Sequence, residues 1–446
     1  MAPSIPIFIS AGEASGDLYG SLLIEAMSRK IAGVRFYGCG GEKMKRAGCE
    51  TLVDARDVTM VGIVEVIPGL ARVWRAFRRL VKTLRTRRPA LAVLIDFPDF
   101  NLRLAKKLRR AGVEVVYFIA PQVWAWRKGR LKQLRHNVDR LLCIFPFEEE
   151  FFREAGVRAE FVGHPLVGRV APSMTAARFR QVLGLPELPL IALLPGSRRK
   201  EILLNLPPML ETAEILLRQG GKASSAGFVI PAASPEAAEA IRSCLHQSRL
   251  HGQPDRYSDR YWVVENHTYD AVAHSEAAVV ASGTATIETA LLGTPMVVVY
   301  RVTRLSWFLG HRLVRVPFYS MVNLVMGREI VPEFIQDRFQ PDAVAREVRK
   351  LLEDSDARGQ MQQGLRELAL RLSAPASSGI ANWTGAAKRA SGEESGVSSQ
   401  TASSAAAASH SVISAAIPAG MEDAIDRSVA VTESVLRARF SMEGNL

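Results

Sequence analysis

Asp96 and Asp99 stand where an apolar run gives way to Phe97-Pro98 and then to Phe100-Asn101. A carboxylate bracketed by apolar neighbours loses hydration, which raises its pKa toward useful basicity. At the end of a strand such a group could take a proton from a hydroxyl nucleophile. Asp96, in the expected last strand position, is the candidate base, with Asp99 beside it. Either Asp99 or Asn101 is expected to cap a helix beginning near Leu102, but capping does not account for both carboxylates.

Small-residue turns follow three other apolar runs. Pro195-Gly196-Ser197-Arg198 offers backbone N–H groups at Gly196 and Ser197, and Arg198 adds a permanent fork of donors suited to phosphate oxygens. Ser282-Gly283-Thr284 opens a second helix whose free N–H groups could hold a diphosphate. Glu288, about one turn further on, could accept from ribose hydroxyls. Either turn alone could be an ordinary capping segment, but two in one half of the chain are harder to attribute to capping. The third, Ala11-Gly12-Glu13-Ala14-Ser15-Gly16-Asp17, has two glycines that permit close backbone approach, and it places Glu13 and Ser15 at a helix start. It is not the dinucleotide fingerprint GxGxxG, and no acid ends the following strand. The Walker pattern GxxxxGK[ST] and the GxSxG elbow are missing too. The eight histidines lack HExxH spacing, and the one D-x-D, Asp354-Ser355-Asp356, falls at a helix end. Neither a metal nor another cofactor is therefore expected; helix N-termini and Arg198 can balance a leaving diphosphate.

The elements that must position these residues recur as short apolar runs: Ile5 to Ser10, Val34 to Cys39, Leu91 to Asp96, Val113 to Ile119 and Leu141 to Phe145. Near-continuous apolar strands between helical patterns indicate a parallel sheet covered on both faces. After a Pro- and Gly-punctuated stretch the pattern restarts with Leu190 to Leu194, Gly227 to Ile230, Tyr261 to Val264, Glu276 to Ala281 and Pro295 to Tyr300. The expected fold is α/β, with two doubly wound Rossmann-like domains facing across a cleft and ligands at the carboxyl ends of the strands. The expected division is 1–168, 169–372, a Ser/Ala/Gly linker over 373–418 and a closing amphipathic helix over 419–446, where Ile425, Val429, Leu436 and Phe440 fall at helical spacing.

At 446 residues the chain exceeds what one core usually serves. Its net charge of +12 favours anionic partners. Four scattered cysteines read as reduced thiols, and neither a signal peptide nor a spanning segment is evident, so a cytoplasmic location is expected. Residues 71–88 hold eight Lys or Arg and no acid. Val73, Trp74, Phe77, Leu80, Val81 and Leu84 form an apolar stripe there, suited either to a crossover helix packed on the sheet or to an anionic membrane surface. A second basic and aromatic stretch runs from Arg301 to Arg315 with Trp307 and Phe308.

Taken together, SAGEASGDLYG from Ser10, MVGIVEVIP from Met60, DFPDFN from Asp96, PQVWAWRKGR from Pro121, FPFEEEFF from Phe145, FVGHPL from Phe161, LLPGSR from Leu193 and SGTATIETAL from Ser282 resemble the lipid-A-disaccharide synthases. These are inverting glycosyltransferases of the GT-B type, and the resemblance covers about residues 5–370. It implies transfer of 2,3-diacylglucosamine from UDP-2,3-diacylglucosamine to the 6′-hydroxyl of 2,3-diacylglucosamine 1-phosphate (lipid X), giving a β-1,6 disaccharide and UDP. The family's base maps to Asp96, its phosphate-binding arginine to Arg198, and Glu13 and Asn323 to further site positions. It also implies work at the inner face of the inner membrane and a homodimer through C-terminal parts, an expectation weakened by the long 373–418 insertion. Phe97 stands where a smaller residue is expected and would narrow the pocket. A UDP-sugar epimerase on the same scaffold and a non-catalytic basic membrane-binding protein are the rival readings. No nucleic-acid motif is present.

Overall fold

The computed structural model describes residues 4–58, 66–124, 129–251, 258–303, 307, 316–375 and 421–442. The chain divides into two compact units. The first comprises Met1–Pro165 with Leu372–Ala374 and Glu422–Leu446; the second holds Leu166–Arg371 and Pro375–Met421.

Unit 1 is built on a seven-stranded sheet of β1 Ile5–Ala11, β2 Val34–Gly40, β3 Cys49–Asp54, β4 Leu91–Ile95, β5 Val115–Phe118, β6 Arg140–Cys143 and β7 Ala159–Phe161, in the order β3-β2-β1-β4-β5-β6-β7. The pairings are parallel. Every residue of β4 and β5 is buried, as continuous apolar runs require when helices cover both faces. The expectation that Asp96 ends its strand is corrected: β4 stops at Ile95, and Asp96 (φ 44°) and Phe97 (φ 51°) turn into the left-handed region. The capping expectation fails as well. The next helix spans Pro98–Arg110 and begins at Pro98 with no side-chain cap, because proline arrives with helical φ and needs no N–H.

The basic segment forms a helix, Val66–Thr86, between β3 and β4. Ala76, Leu80 and Leu84 are buried in the core of unit 1, and Val73, Phe77 and Val81 pack against it. It is thus a crossover helix, but Trp74 faces outward at 57% exposure with the Arg78 guanidinium 4.4 Å from its ring centre. Arg72, Arg75, Arg79, Lys82 and Arg85 are exposed around them.

A closing helix occupies Ala424–Met442 and lies against the first helix, Ala14–Lys30. Ile425, Val429, Val435 and Leu436 are buried there. Asp426 pairs with Lys30 at 3.0 Å, Arg427 with Glu160 at 3.3 Å, and Arg439 donates to the Ala90 carbonyl at 2.8 Å. Residues 376–420, which carry most of the expected linker, lie outside the described residues, as does the Phe440 side chain.

Unit 2 repeats the design with β8 Leu190–Leu194, β9 Gly227–Ala232, β10 Tyr261–Glu265, β11 Ala277–Ala281, β12 Met296–Tyr300 and β13 Glu333–Ile335, ordered β10-β9-β8-β11-β12-β13. Its pairings are parallel too. Asp354 of the D-x-D caps the helix Ser355–Leu372 by accepting the Asp356 and Ala357 N–H groups. The four cysteines are buried and free.

Candidate active site

In a doubly wound sheet, ligands bind beyond the carboxyl ends of the strands where the strand order reverses. In unit 1 that point lies between β1 and β4, neighbours with Ala11 opposite Ile95. The turn after β1 carries Glu13 and Ser15, and the turn after β4 carries Asp96, so topology alone brings these together. Glu13 sits at the N-cap position of the helix Ala14–Lys30, with Ser15 in the first turn. Desolvation first, then the neighbouring Glu13 carboxylate, push the Asp96 carboxyl up to about 6, while the Phe97 N–H bound to it pulls the other way. Asp99 is different. Its carboxylate is largely exposed and paired with Arg130, which suits it less to proton abstraction.

The space beside Gly12 is taken up within the chain. A Cβ there would fall 2.3 Å from the Phe97 ring, so the missing side chain makes room for that ring. Phe97 also packs on Phe100, with ring centres 5.5 Å apart. Phe97 thus forms a wall of the turn, and Gly12 is the residue that admits it.

The switch point of unit 2 lies between β8 and β11, with Leu194 opposite Val280. Both phosphate-suited turns fall there. Gly196 has φ 120°, which favours glycine, and a Cβ would meet the Glu201 side chain at 2.7 Å. Ser197 and Arg198 are exposed, and Arg198 holds the N-cap position of the helix Arg199–Arg218. A Glu201 carboxylate oxygen already lies 3.4 Å from the Arg198 N–H, so this turn attracts an anion within its own chain. Across β11, the Ser282 hydroxyl donates to the Tyr319 carbonyl at 2.8 Å. Gly283 and Thr284 are exposed at the start of the helix Thr284–Leu291. Glu288 accepts the Tyr269 hydroxyl at 3.0 Å, and burial raises its carboxyl above the usual range. Asn323 is fully buried. Its amide donates to Val331 O and Glu333 and accepts from Ile330 N and Val331 N, so it braces the loop that follows its helix.

Two features escaped the sequence reading. Glu148 is buried, accepts the Trp124 indole N–H at 3.1 Å, and is pushed up to about 8 by desolvation. Its signal was there: an acid at the third position of a helix opened by Pro146. All five non-glycine residues described with positive φ, namely Asp96, Phe97, Ile119, Asn266 and Gln336, directly follow the ends of β4, β5, β10 and β13. Strain of this kind costs on the order of 1–3 kcal/mol per residue and gathers at functional edges.

Solved structures define the class. A Neisseria meningitidis UDP-GlcNAc 2-epimerase bound to UDP-GlcNAc aligns with TM-score 0.52 at 10% identity, over 82% of this chain and 97% of that one. A Rickettsia africae glycosyltransferase aligns with TM-score 0.50 at 9% identity, over 83% and 94%. The chain has the two-domain fold shared by such glycosyltransferases and epimerases, a likeness of fold alone. Within that class the sequence decides. Residues 7–378 match the family model for lipid-A-disaccharide synthetase. The lipid-A-disaccharide synthase of Solibacter usitatus is 44% identical over 84% of this chain and 96% of its own length, and that of Myxococcus xanthus 42% identical over 82% and 93%. The chain belongs to the lipid-A-disaccharide synthase family.

Proposed function

We propose that this chain is an inverting glycosyltransferase that moves 2,3-diacylglucosamine from its UDP carrier to the 6′-hydroxyl of 2,3-diacylglucosamine 1-phosphate. The observation that carries the reading is Asp96, a desolvated carboxylate at the switch point of a chain in this family. Asp96 removes the hydroxyl proton as the oxygen attacks the anomeric carbon from the face opposite the diphosphate, and UDP departs. Arg198, Gly196, Ser197 and the Ser282-Gly283-Thr284 turn take the diphosphate charge, and Glu288 takes the ribose. Glu13, Ser15 and Asp99 border the acceptor hydroxyl, and Asn323 acts through the loop it braces. UDP release that requires the acceptor tests this reading. UDP-sugar isomerisation without acceptor would instead mark an epimerase, whose fold neighbours make it the second candidate.

Charge neutralisation by arginine and helix N-termini leaves no role for a cation at the leaving group. Turnover in excess EDTA is expected to match the untreated enzyme. A loss restored by magnesium would overturn this.

No described helix is long and apolar enough to cross a membrane, yet both proposed substrates carry acyl chains. We assign the membrane contact to the outer face of the helix Val66–Thr86, where exposed Trp74 sits among Arg75, Arg78, Arg79 and Lys82. Each basic residue near an anionic surface contributes roughly 1 kcal/mol, screened within a Debye length. Anionic vesicles should therefore retain the protein at low salt and release it at high salt. Changing Arg75, Arg78, Arg79 and Lys82 to Gln should abolish most of the low-salt binding; equal co-sedimentation of the two proteins would remove this helix from the contact. Of the second basic stretch, residues 304–306 and 308–315 lie outside the described residues. The proposed location is peripheral, on the inner face of the inner membrane. The proposed homodimer is checked by light scattering.

A further inference from the structure

The peptide unit joining Asp96 to Phe97 is held on both sides. Its N–H binds the Asp96 carboxylate. Its carbonyl, that of Asp96, accepts from the Asn101 amide at 2.8 Å and from the Tyr117 hydroxyl at 2.6 Å. The same amide reaches the Ile95 carbonyl at 3.0 Å and the Ser10 carbonyl at 3.3 Å, and its oxygen accepts the Ser10 hydroxyl at 2.8 Å. The Asp96 N–H donates to the Phe118 carbonyl at 2.9 Å. Asn101 and Tyr117 are both fully buried.

Two consecutive non-glycine residues in the left-handed region persist only where the surroundings over-determine them. Here β5 and the helix Pro98–Arg110 supply bonds to one turn, and β1 holds the Asn101 amide that makes one of them. Three carbonyls compete for the two amide hydrogens of Asn101, so the Tyr117 hydroxyl is the donor that completes the Asp96 carbonyl. Rotation of this peptide would carry its N–H away from the carboxylate and swing the side chain.

We propose that Tyr117 and Asn101 are positioning residues for the transfer reaction: by pinning the 96–97 peptide they fix where the Asp96 carboxylate meets the acceptor hydroxyl. The inference rests on Asp96 as the base. A cage that only staples the fold would cost stability and leave chemistry alone, whereas misplacing a catalytic group by about 1 Å can cost up to a hundredfold.

Tyr117→Phe removes one hydroxyl and keeps the buried ring. Its kcat is expected to fall between about ten- and a hundredfold, with KM for both substrates within about twofold. The acid limb of its pH profile should move to higher pH, because the N–H that favours the ionised carboxylate is no longer held in place. The decisive comparison is a double-mutant cycle. In the Asp96→Asn background the Tyr117→Phe effect on residual turnover should vanish. Asn101→Ala should behave as Tyr117→Phe does, and if it does not fold, the tyrosine variant decides alone. A Tyr117→Phe enzyme with a lowered melting temperature but unchanged kcat and pH profile would reduce the cage to a structural staple. An undiminished effect in the Asp96→Asn background would show that Tyr117 acts elsewhere. Normal turnover of Asp96→Asn by itself would instead dismiss Asp96 as base.

Discussion

Asp96→Asn is expected to lower kcat by about 10²- to 10⁴-fold, the usual contribution of a positioned general base, with UDP binding unchanged. The amide keeps the shape of the carboxylate and can still accept the Phe97 N–H, but it cannot take the acceptor's proton. Wild-type turnover should fall as pH drops through about 6, where the Asp96 carboxyl takes up its proton. Glu13→Gln removes the neighbouring carboxylate that adds to that elevation, so its acid limb should move to lower pH. The same burial has a consequence for stability. A carboxyl raised in the folded chain favours folding at pH values below its unfolded pKa, and that advantage is lost as pH rises through the folded value. Relative to Asp96→Asn, the wild type should therefore lose stability between about pH 4 and pH 6 and stay lower above it. The difference at neutral pH should reach on the order of 1–3 kcal/mol, at 1.36 kcal/mol per unit and discounted for partial access of water. An inactive variant that melts at higher temperature at pH 7 would join both arguments. Near-normal turnover would transfer the base role to Asp99, and equal melting curves at pH 7 would mean that ionised Asp96 is well solvated.

What could be read from the sequence follows from burial. The interior strands β4, β8 and β11 are apolar throughout, and β1 is apolar but for Ser10, because helices cover both faces; the turns that carry the candidate site residues follow them. The edge strands β3, β7 and β13 were not anticipated. Each is short or partly exposed, so its pattern mixes polar with apolar residues and carries no continuous run. Asn101 was misread because residue type cannot separate a capping asparagine from one buried beneath a turn; only the left-handed φ of Asp96 and Phe97, absent from any periodicity, distinguishes them. For the helix Val66–Thr86 the same stripe served both readings. The structure divides it by residue, with Leu80 and Leu84 inward and Trp74 outward. Gly12 leaves space for the Phe97 ring, a contact between residues 85 positions apart that no local motif encodes.

Arg198→Lys should reduce kcat/KM by on the order of ten- to a hundredfold, although the charge is kept. A guanidinium presents two parallel N–H donors to two phosphate oxygens, and an ammonium offers a point charge with no fixed fork. The position makes the difference matter. Gly196, at φ 120°, bends the chain so that Arg198 lands on the N-cap of the helix Arg199–Arg218, beside β11 and its Ser282-Gly283-Thr284 turn. On the proposed reading, charge developing on the departing diphosphate there would be met by oriented donors, and loss of one such donor typically costs 10²–10³ in rate. Lysine retains part of that interaction, which puts its effect at the lower end. Arg198 is exposed, so the melting temperature should not move. Arg199 and Lys200 are exposed beside it and supply the control. Charge-conserving changes at those positions, Arg199→Lys and Lys200→Arg, should leave kcat/KM within about twofold if position rather than local charge density is what counts. UDP affinity by calorimetry completes the test. Weaker UDP binding with equal loss in kcat/KM would place Arg198 on the bound diphosphate, and loss in kcat alone would place its action in the transition state. Unchanged kinetics and unchanged UDP affinity would take Arg198 out of the site.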